Sequence, residues 1–394
     1  MKPFSNLRTP RRTTFLDTNF RLKALLSLSL ALCASLTHAQ SGITDTTIAL
    51  GQSAPITGQA MELGIRYRDG ANAYFRMVNE TEGGIYGRKI ILNTKDDGYE
   101  PERTADNTRK FMQEDTFALF GYVGTPTSIA ALPIVAQHNI PFFAPFSGAE
   151  SLREPFNRNV FHVRASYMQE TEAIVKQLVE SGIRRIGVVY QNDAFGEAGR
   201  EGVKQAMAKR NLQLVGTATV ERNSVDVAKA VEAMKRTTPD AVIVVSAYKS
   251  VAAFIKRART ETKTQFYWSI SFVGSKALIN ELGDDARGVL ISQVMPPPWE
   301  KVNPVVKDYR RFYMRDGENS FDYTSLEGFI AAKVFVEGLR RCGAHPTRSN
   351  LVRALESMGR FDAGGFDVYF GPDRHTGSNY VDLTMISSNG KFVH

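Results

Sequence analysis

Small polar residues gather at three points where an apolar run ends: Gly121-Tyr122-Val123-Gly124-Thr125-Pro126-Thr127-Ser128, Pro145-Phe146-Ser147-Gly148-Ala149 and Ser246-Ala247-Tyr248-Lys249-Ser250. Hydroxyls and glycine amides clustered in this way hold a ligand rather than break a bond. At a helix start the unpaired N–H groups point outward, and with neighbouring hydroxyls they grip a carboxylate, a phosphate or a neutral acceptor. Thr125, Ser128 and Ser147 could each be an ordinary helix N-cap. Three clusters at three strand ends together point to a site.

Bond-making chemistry needs other arrangements, and the sequence lacks them. It has no GxSxG elbow, no HExxH pair, no GxxxxGK[ST] loop and no GxGxxG after the first strand. Ser246-Ala247-Tyr248-Lys249 matches an SxxK string, but the SDN and KTG partners of such an enzyme are missing. His138, His162, His345, His375 and His394 are too scattered for a zinc set. Asp96-Asp97-Gly98 opens like a calcium loop, yet no later acid completes the spacing, and it reads as a strand-to-helix turn. Cys342 closes a helical stretch and reads as a packed side chain. The expectation is no catalytic residue, no metal and no cofactor.

The clusters must be positioned by the elements around them. Strand-like runs at 46–51, 88–96, 117–124 and 140–146 alternate with helical stretches at 64–79, 101–115 and 127–138. The rhythm then repeats, with strands at 184–191, 211–220, 239–248 and 264–270 and helices at 169–181, 195–210, 226–236 and 251–259. A further helix is expected at 325–342. This alternation predicts βαβ units, an α/β fold whose parallel sheets are covered on both faces. Ligands of such sheets bind outside the carboxyl ends of the strands, where the three clusters fall.

Charge and composition narrow the class. The chain has 394 residues, 43% hydrophobic and 23% charged, with 49 Lys and Arg against 41 Asp and Glu. That composition excludes a disordered chain, and two Cys exclude a disulfide scaffold. The formal charge of +8 suggests an acidic partner until residues 1–39 are set aside. They carry six basic residues and one acid, then the uncharged run ALLSLSLALCASL and Thr37-His38-Ala39. A basic head, a short apolar run and small residues before a cut near Ala39 describe a signal peptide, and the run is too short to span a bilayer. Arg11-Arg12 lacks twin-arginine spacing and Leu32 before Cys33 does not suit a lipid anchor. The remaining 355 residues hold 43 basic and 40 acidic side chains, so nucleic acid is not an expected partner. Their length suits two α/β lobes, and export places them in the periplasm.

Across nearly the whole mature chain the sequence resembles the type I periplasmic substrate-binding proteins of ABC transporters, the leucine/isoleucine/valine-binding family. The resemblance rests on TTIALGQSAPITGQAMELG, NETEGGIYGRKIIL, FGYVGTPTSIAALPIV, PFSGAESLR, RIGVVYQNDAFGEAG, PDAVIVVSAY and YTSLEGFIAAKVFVEGL, in that order. It implies the type I periplasmic binding fold: two doubly wound parallel-sheet lobes on a three-strand hinge, lobe 1 being 42–165 with 294–365 and lobe 2 being 166–293 with 366–394. It implies a small ligand, an amino acid or an organic or aromatic acid, closed between the lobes and delivered to ABC permease subunits. A sensor subunit presenting its ligand to a separate membrane receptor is the alternative. The protein is expected to act as a monomer that meets the membrane only through the transporter.

By the same resemblance Thr125 would grip the ligand's head group, with Gly124, Thr127 and Ser128 around it and Phe146, Ser147 and Gly148 as a second strip. Leu63 stands where the family places an aromatic. Phe195, Ala247 and Tyr248 would contribute from lobe 2, with Ser271 and Phe272 beyond the next strand. Amino-acid receptors of this type place an acid there to pair the ligand ammonium, and Ile270-Ser271-Phe272 has none. A buried ammonium without such a partner is costly. Only an acid from elsewhere, such as Glu327, could replace it, and the aromatic residues suit an apolar carboxylate better.

Overall fold

The computed structural model describes residues 42–313 and 321–393; the expected signal peptide, residues 1–39, lies outside them. The first apolar runs become β1 (Thr47–Ala54), β2 (Lys89–Asp96), β3 (Ala118–Phe120), β4 (Phe142–Phe143) and β5 (Val160–Phe161). They form a parallel sheet in the order β2-β1-β3-β4-β5. Helices α1 (Met61–Thr81), α2 (Pro101–Gln113) and α3 (Thr125–His138) make its connections.

The second half winds in the same sense. After α4 (Tyr167–Glu180) come β6 (Ile186–Gln191), α5 (Ala194–Ala208), β7 (Gly216–Val220), α6 (Ala228–Thr237), β8 (Ala241–Val245), α7 (Tyr248–Glu261), β9 (Phe266–Ser269), α8 (Ser275–Leu282) and β10 (Leu290–Gln293). These strands pair in parallel in the order β7-β6-β8-β9-β10. Each sheet therefore has its first strand flanked by its second and third, which opens a crevice at the strand ends between them.

The chain returns to the first lobe through α9 (Pro304–Tyr313), α10 (Tyr323–Cys342), α11 (Arg348–Glu356) and the hairpin of β11 (Gly359–Asp362) with β12 (Asp367–Phe370). It then adds β13 (Asp382–Ile386) and β14 (Phe392–Val393) to the edge of the second sheet. Both additions are antiparallel and extend the edge of the expected parallel sheet. The lobe boundary expected at 365/366 falls inside the β11–β12 hairpin. Cross-strand pairing holds Asp367–Phe370 with the first lobe, and Phe370 packs on Phe161 at 5.4 Å. Thr376 and Gly377 still pair with His162 beside β5, so the return to the second lobe starts after Gly377.

Burial follows the sequence pattern. Ile48 and Leu50 of β1 and all five residues of β8 are buried between helices. Rings of Phe120, Phe143, Phe161 and Phe335 interlock under the first sheet. The run 117–124, expected as one strand, pairs only over Ala118–Phe120. Gly121 and Gly124 have φ of 62° and 105°, and this left-handed backbone turns the chain out of the ladder. One bridge, Val123 to Phe146, remains beyond the strand. Among the described residues no helix is long and apolar enough to cross a membrane.

Candidate functional site

The site begins with the turn after β2. Asp96 accepts hydrogen bonds from the Ile56, Thr57 and Gly98 amides and from the Thr57 hydroxyl, at 2.8 to 3.1 Å. Against the upward push of partial burial, these bonds hold its carboxyl well below the usual range. Asp97 is buried and takes the Tyr99 amide and the Ser53 and Thr104 hydroxyls. The two acids thus build a strand-to-helix turn, as the sequence suggested, and it delivers Tyr99 into the space between the lobes. Gly124 is shaped to admit that ring, since a Cβ on it would run into Tyr99.

On the first lobe Thr125 and Ser147 come together. Both are fully buried, and their hydroxyls share a hydrogen bond of 2.7 Å although 22 positions separate them. Thr125 is not the N-cap of α3, because Gly124 occupies that place without a side-chain bond. Ser147 lies outside any helix, its oxygen accepting from the Ala149 amide at 3.2 Å. Thr127 is committed to the backbone, donating to the Val123 and Gly124 carbonyls. The Ser128 hydroxyl is buried without a hydrogen-bond partner. Gly148 lies against the Tyr167 ring.

The second lobe brings its own residues to the same place. Phe272 reaches between the lobes, its ring centre 5.3 Å from Phe146, 6.0 Å from Tyr99 and 4.4 Å from Phe195. Phe195 also meets Tyr167 at 5.5 Å. Leu63 packs on Gly274, and the Glu62 amide lies 3.5 Å from the Tyr248 hydroxyl. Ala247, just before α7, is buried beside Tyr248. Further bonds cross between the lobes: Gln191 to the Tyr99 hydroxyl at 3.3 Å, Arg222 to Glu100 at 2.9 Å, and Asn223 to Glu100 at 2.7 Å and to the Gly98 carbonyl at 3.1 Å.

Behind these rings lies an ionic cluster. Arg164, between β5 and α4, is 1% exposed and donates to the Ser271 hydroxyl. Its Nε is 3.4 Å from Glu327 and its Nη2 is 4.0 Å from Glu170. Burial opposes the charge, but Glu327 and Glu170 more than offset this and hold the guanidinium above its ordinary value. Glu170 accepts from the Ser271 amide and hydroxyl and from the Ser292 hydroxyl, at 2.6 to 3.0 Å. Burial pushes Glu327 up to about 7; Arg164 and Arg153 pull it down and Glu170 pushes it further up. An acid does therefore reach the cleft wall beside Phe146 and Ser271, but it faces a guanidinium already in place.

The structure thus gathers Thr125, Ser147, Phe146, Gly148, Phe195, Phe272 and Ser271, while Thr127 faces its own backbone. Sequence reasoning missed Tyr99, Arg164, Tyr167, Glu170 and Gln191. Arg164 offered a signal, a charged residue inside the apolar run VFHVRASY just past a strand. No carboxylate or imidazole is hydrogen-bonded to either the Thr125 or the Ser147 hydroxyl among the described residues. Nor do the described residues contain a group of three or more His, Cys, Asp and Glu placed to hold a metal ion. Cys342 is a half-buried free thiol pushed up to about 12 by burial.

Comparison with known proteins bears on this geometry. A family model described as periplasmic binding protein matches residues 47–391. A solved possible leucine/isoleucine/valine-binding protein from Rhodopirellula baltica is 32% identical with a TM-score of 0.85, over 91% of this chain and 98% of that one. A substrate-binding periplasmic protein from Ralstonia solanacearum is also 32% identical, with a TM-score of 0.83 over 88% of this chain and 99% of that one. The Leu/Ile/Val-binding protein homolog 3 of Brucella melitensis is 21% identical over 333 residues, covering 83% of this chain and 87% of that protein.

Proposed function

The chain belongs to the periplasmic binding proteins, and we propose that it captures a small solute between its two lobes and hands it to the permease of an ABC importer. Residues 1–39 would direct export to the periplasm, and the protein would work there as a monomer. The observation that carries this reading is the Thr125–Ser147 hydroxyl pair, buried at adjacent strand ends and roofed by rings from both lobes. Such a pair offers hydrogen bonds to a ligand head group, while Phe146, Phe195, Phe272 and Tyr99 offer apolar walls. An amino acid or an organic or aromatic acid fits this chemistry, as do the names of the relatives. Closing the lobes over such a solute would let the permease read occupancy, since the ligand stabilises the closed form.

The test is a thermal-shift screen of the purified protein against amino acids, aromatic acids and dicarboxylates. A true ligand at a hundredfold excess over Kd stabilises the fold by about 2.7 kcal/mol. Thr125→Ala and Ser147→Ala should each weaken binding of the hit, while loss of their mutual hydrogen bond costs the free fold about 1 kcal/mol. Unaltered affinity in both variants would remove this site from consideration.

A further inference from the structure

We propose that Arg164 and Tyr167 form a specificity subsite at the crossover between the lobes, which selects a ligand bearing a carboxylate on an apolar body and rejects an α-ammonium. This deepens the solute-binding reading and rests on it. Arg164 spends one nitrogen on Ser271, but its Nε and Nη1 have no hydrogen-bond partner in a fully buried setting. The Tyr167 hydroxyl is equally buried and equally without a partner. Burying donors without an acceptor is costly; Nε has only the Glu327 carboxylate at 3.4 Å to face, while Nη1 and the Tyr167 hydroxyl have none.

Their placement ties them to the cleft. The Arg164 guanidinium carbon lies 4.6 Å over the Phe146 ring and 6.0 Å from the Tyr167 ring. Burial pushes the Tyr167 phenol up to about 12, and both Arg164 and Ser147 act on its oxygen in the opposite sense. The guanidinium, the phenol and the Ser147–Thr125 pair therefore line one wall. Donors and hydroxyls dominate that wall, Glu327 lying on the far side of the guanidinium, and the fork of a guanidinium matches two carboxylate oxygens.

The same cluster explains the rejection of an ammonium. The acids near the cleft are Glu170 and Glu327. Three hydrogen bonds from Ser271 and Ser292 occupy Glu170, and Glu327 faces Arg164. An ammonium entering here would sit beside a buried guanidinium and compete with it for Glu327, an arrangement of like charges in a dry site. An incoming carboxylate meets the opposite situation, with a cation in front of it and Glu327 readily protonated behind.

Isothermal titration of the purified protein tests this with 3-phenylpropionate, its amide and L-phenylalanine, and in parallel with 4-methylpentanoate and L-leucine. Each acid should bind about tenfold or more tightly than its amide or its amino-acid counterpart, the loss of one charge-assisted hydrogen bond. Tyr167→Phe removes only an unpartnered hydroxyl. It should weaken acid binding by about tenfold, weaken amide binding less because that hydrogen bond is not charge-assisted, and not lower the melting temperature of the free protein. Arg164→Gln should abolish the preference of acid over amide, and if that variant fails to fold, Tyr167→Phe still decides. Equal binding of acid and amide, tighter binding of the amino acids, or unchanged acid binding in Tyr167→Phe overturns the subsite. If none of these compounds binds, the carboxylate class falls, and native mass spectrometry of protein purified from cells separates the two readings. A co-purified small molecule without a carboxylate leaves solute capture standing; no bound molecule and no hit in the wider screen sinks solute capture as well.

Discussion

Arg222→Ala tests whether the contacts that join the lobes act on closure rather than on folding. Arg222 reaches Glu100 of the first lobe at 2.9 Å and Asp193 of its own lobe at 3.3 Å. Opening the lobes breaks only the first contact, so only that one weighs on closure. The two side chains are 26% and 42% exposed, and a pair so exposed contributes about 1 kcal/mol at most. That corresponds to about a fivefold shift of the closure equilibrium, and of ligand affinity when the open form dominates without ligand. Adding Asn223→Ala removes hydrogen bonds to Glu100 and to the Gly98 carbonyl. At about 1 kcal/mol each, these bring the double variant to roughly thirty- to a hundred-and-fifty-fold. Small-angle scattering would show the variants less compact at sub-saturating ligand, and titration calorimetry with the strongest hit from the thermal screen would give the affinities. Raising salt from about 0.05 to about 0.5 M should narrow the gap between Arg222→Ala and wild type, because the lost pair is partly screened. Equal affinity and equal compactness of all three proteins at low salt would refute the latch. So would a fall in the ligand-free melting temperature as large as the fall in affinity, since that would make the contacts part of the fold.

Two further outcomes follow from the same geometry. Glu327 titrates in the fold at about 7 against an ordinary value of 4.5; a raised carboxyl contributes its full stability below 4.5 and loses it as pH rises through 7. Glu327→Gln should therefore melt with wild type near pH 4.5 and above it beyond pH 7, and a gap that stays constant over this window in calorimetric scans contradicts the assignment. Gly124→Ala places a Cβ against Tyr99 at a φ of 105° and should cost about 1–3 kcal/mol in urea unfolding, with weaker ligand binding; an unchanged midpoint would mean that Tyr99 can move aside freely.

Much of the architecture is written in contiguous residues. Short β-branched runs such as AVIVV, bounded by turn residues, read as buried strands, and the amphipathic stretches between them read as covering helices. The helix expected at 101–115 forms over Pro101–Gln113, and the one at 325–342 over Tyr323–Cys342. Where expectation and structure part, backbone conformation or distant pairing is the cause. Gly121 and Gly124 end β3 early, and β12 stays with β11 through cross-strand bonds that no local pattern announces.

The site divides in the same way. Thr125, Ser147 and Phe146 could be named from the sequence because each sits just past an apolar run, a feature that neighbouring residues carry, whereas Phe195 and Phe272 are named only through the family resemblance. That Thr125 bonds Ser147 while Thr127 turns to its own helix was decided by the fold. The cluster of Arg164, Glu170, Ser271, Ser292 and Glu327 was invisible in one dimension, since Arg164 and Ser271 are 107 positions apart. Apart from Arg164, a charge inside an apolar run, each residue there is unremarkable among its neighbours in the chain. Periodicity is a property of adjacent residues and survives without a fold, whereas a buried charge and the partners that make it tolerable exist only once two lobes have come together.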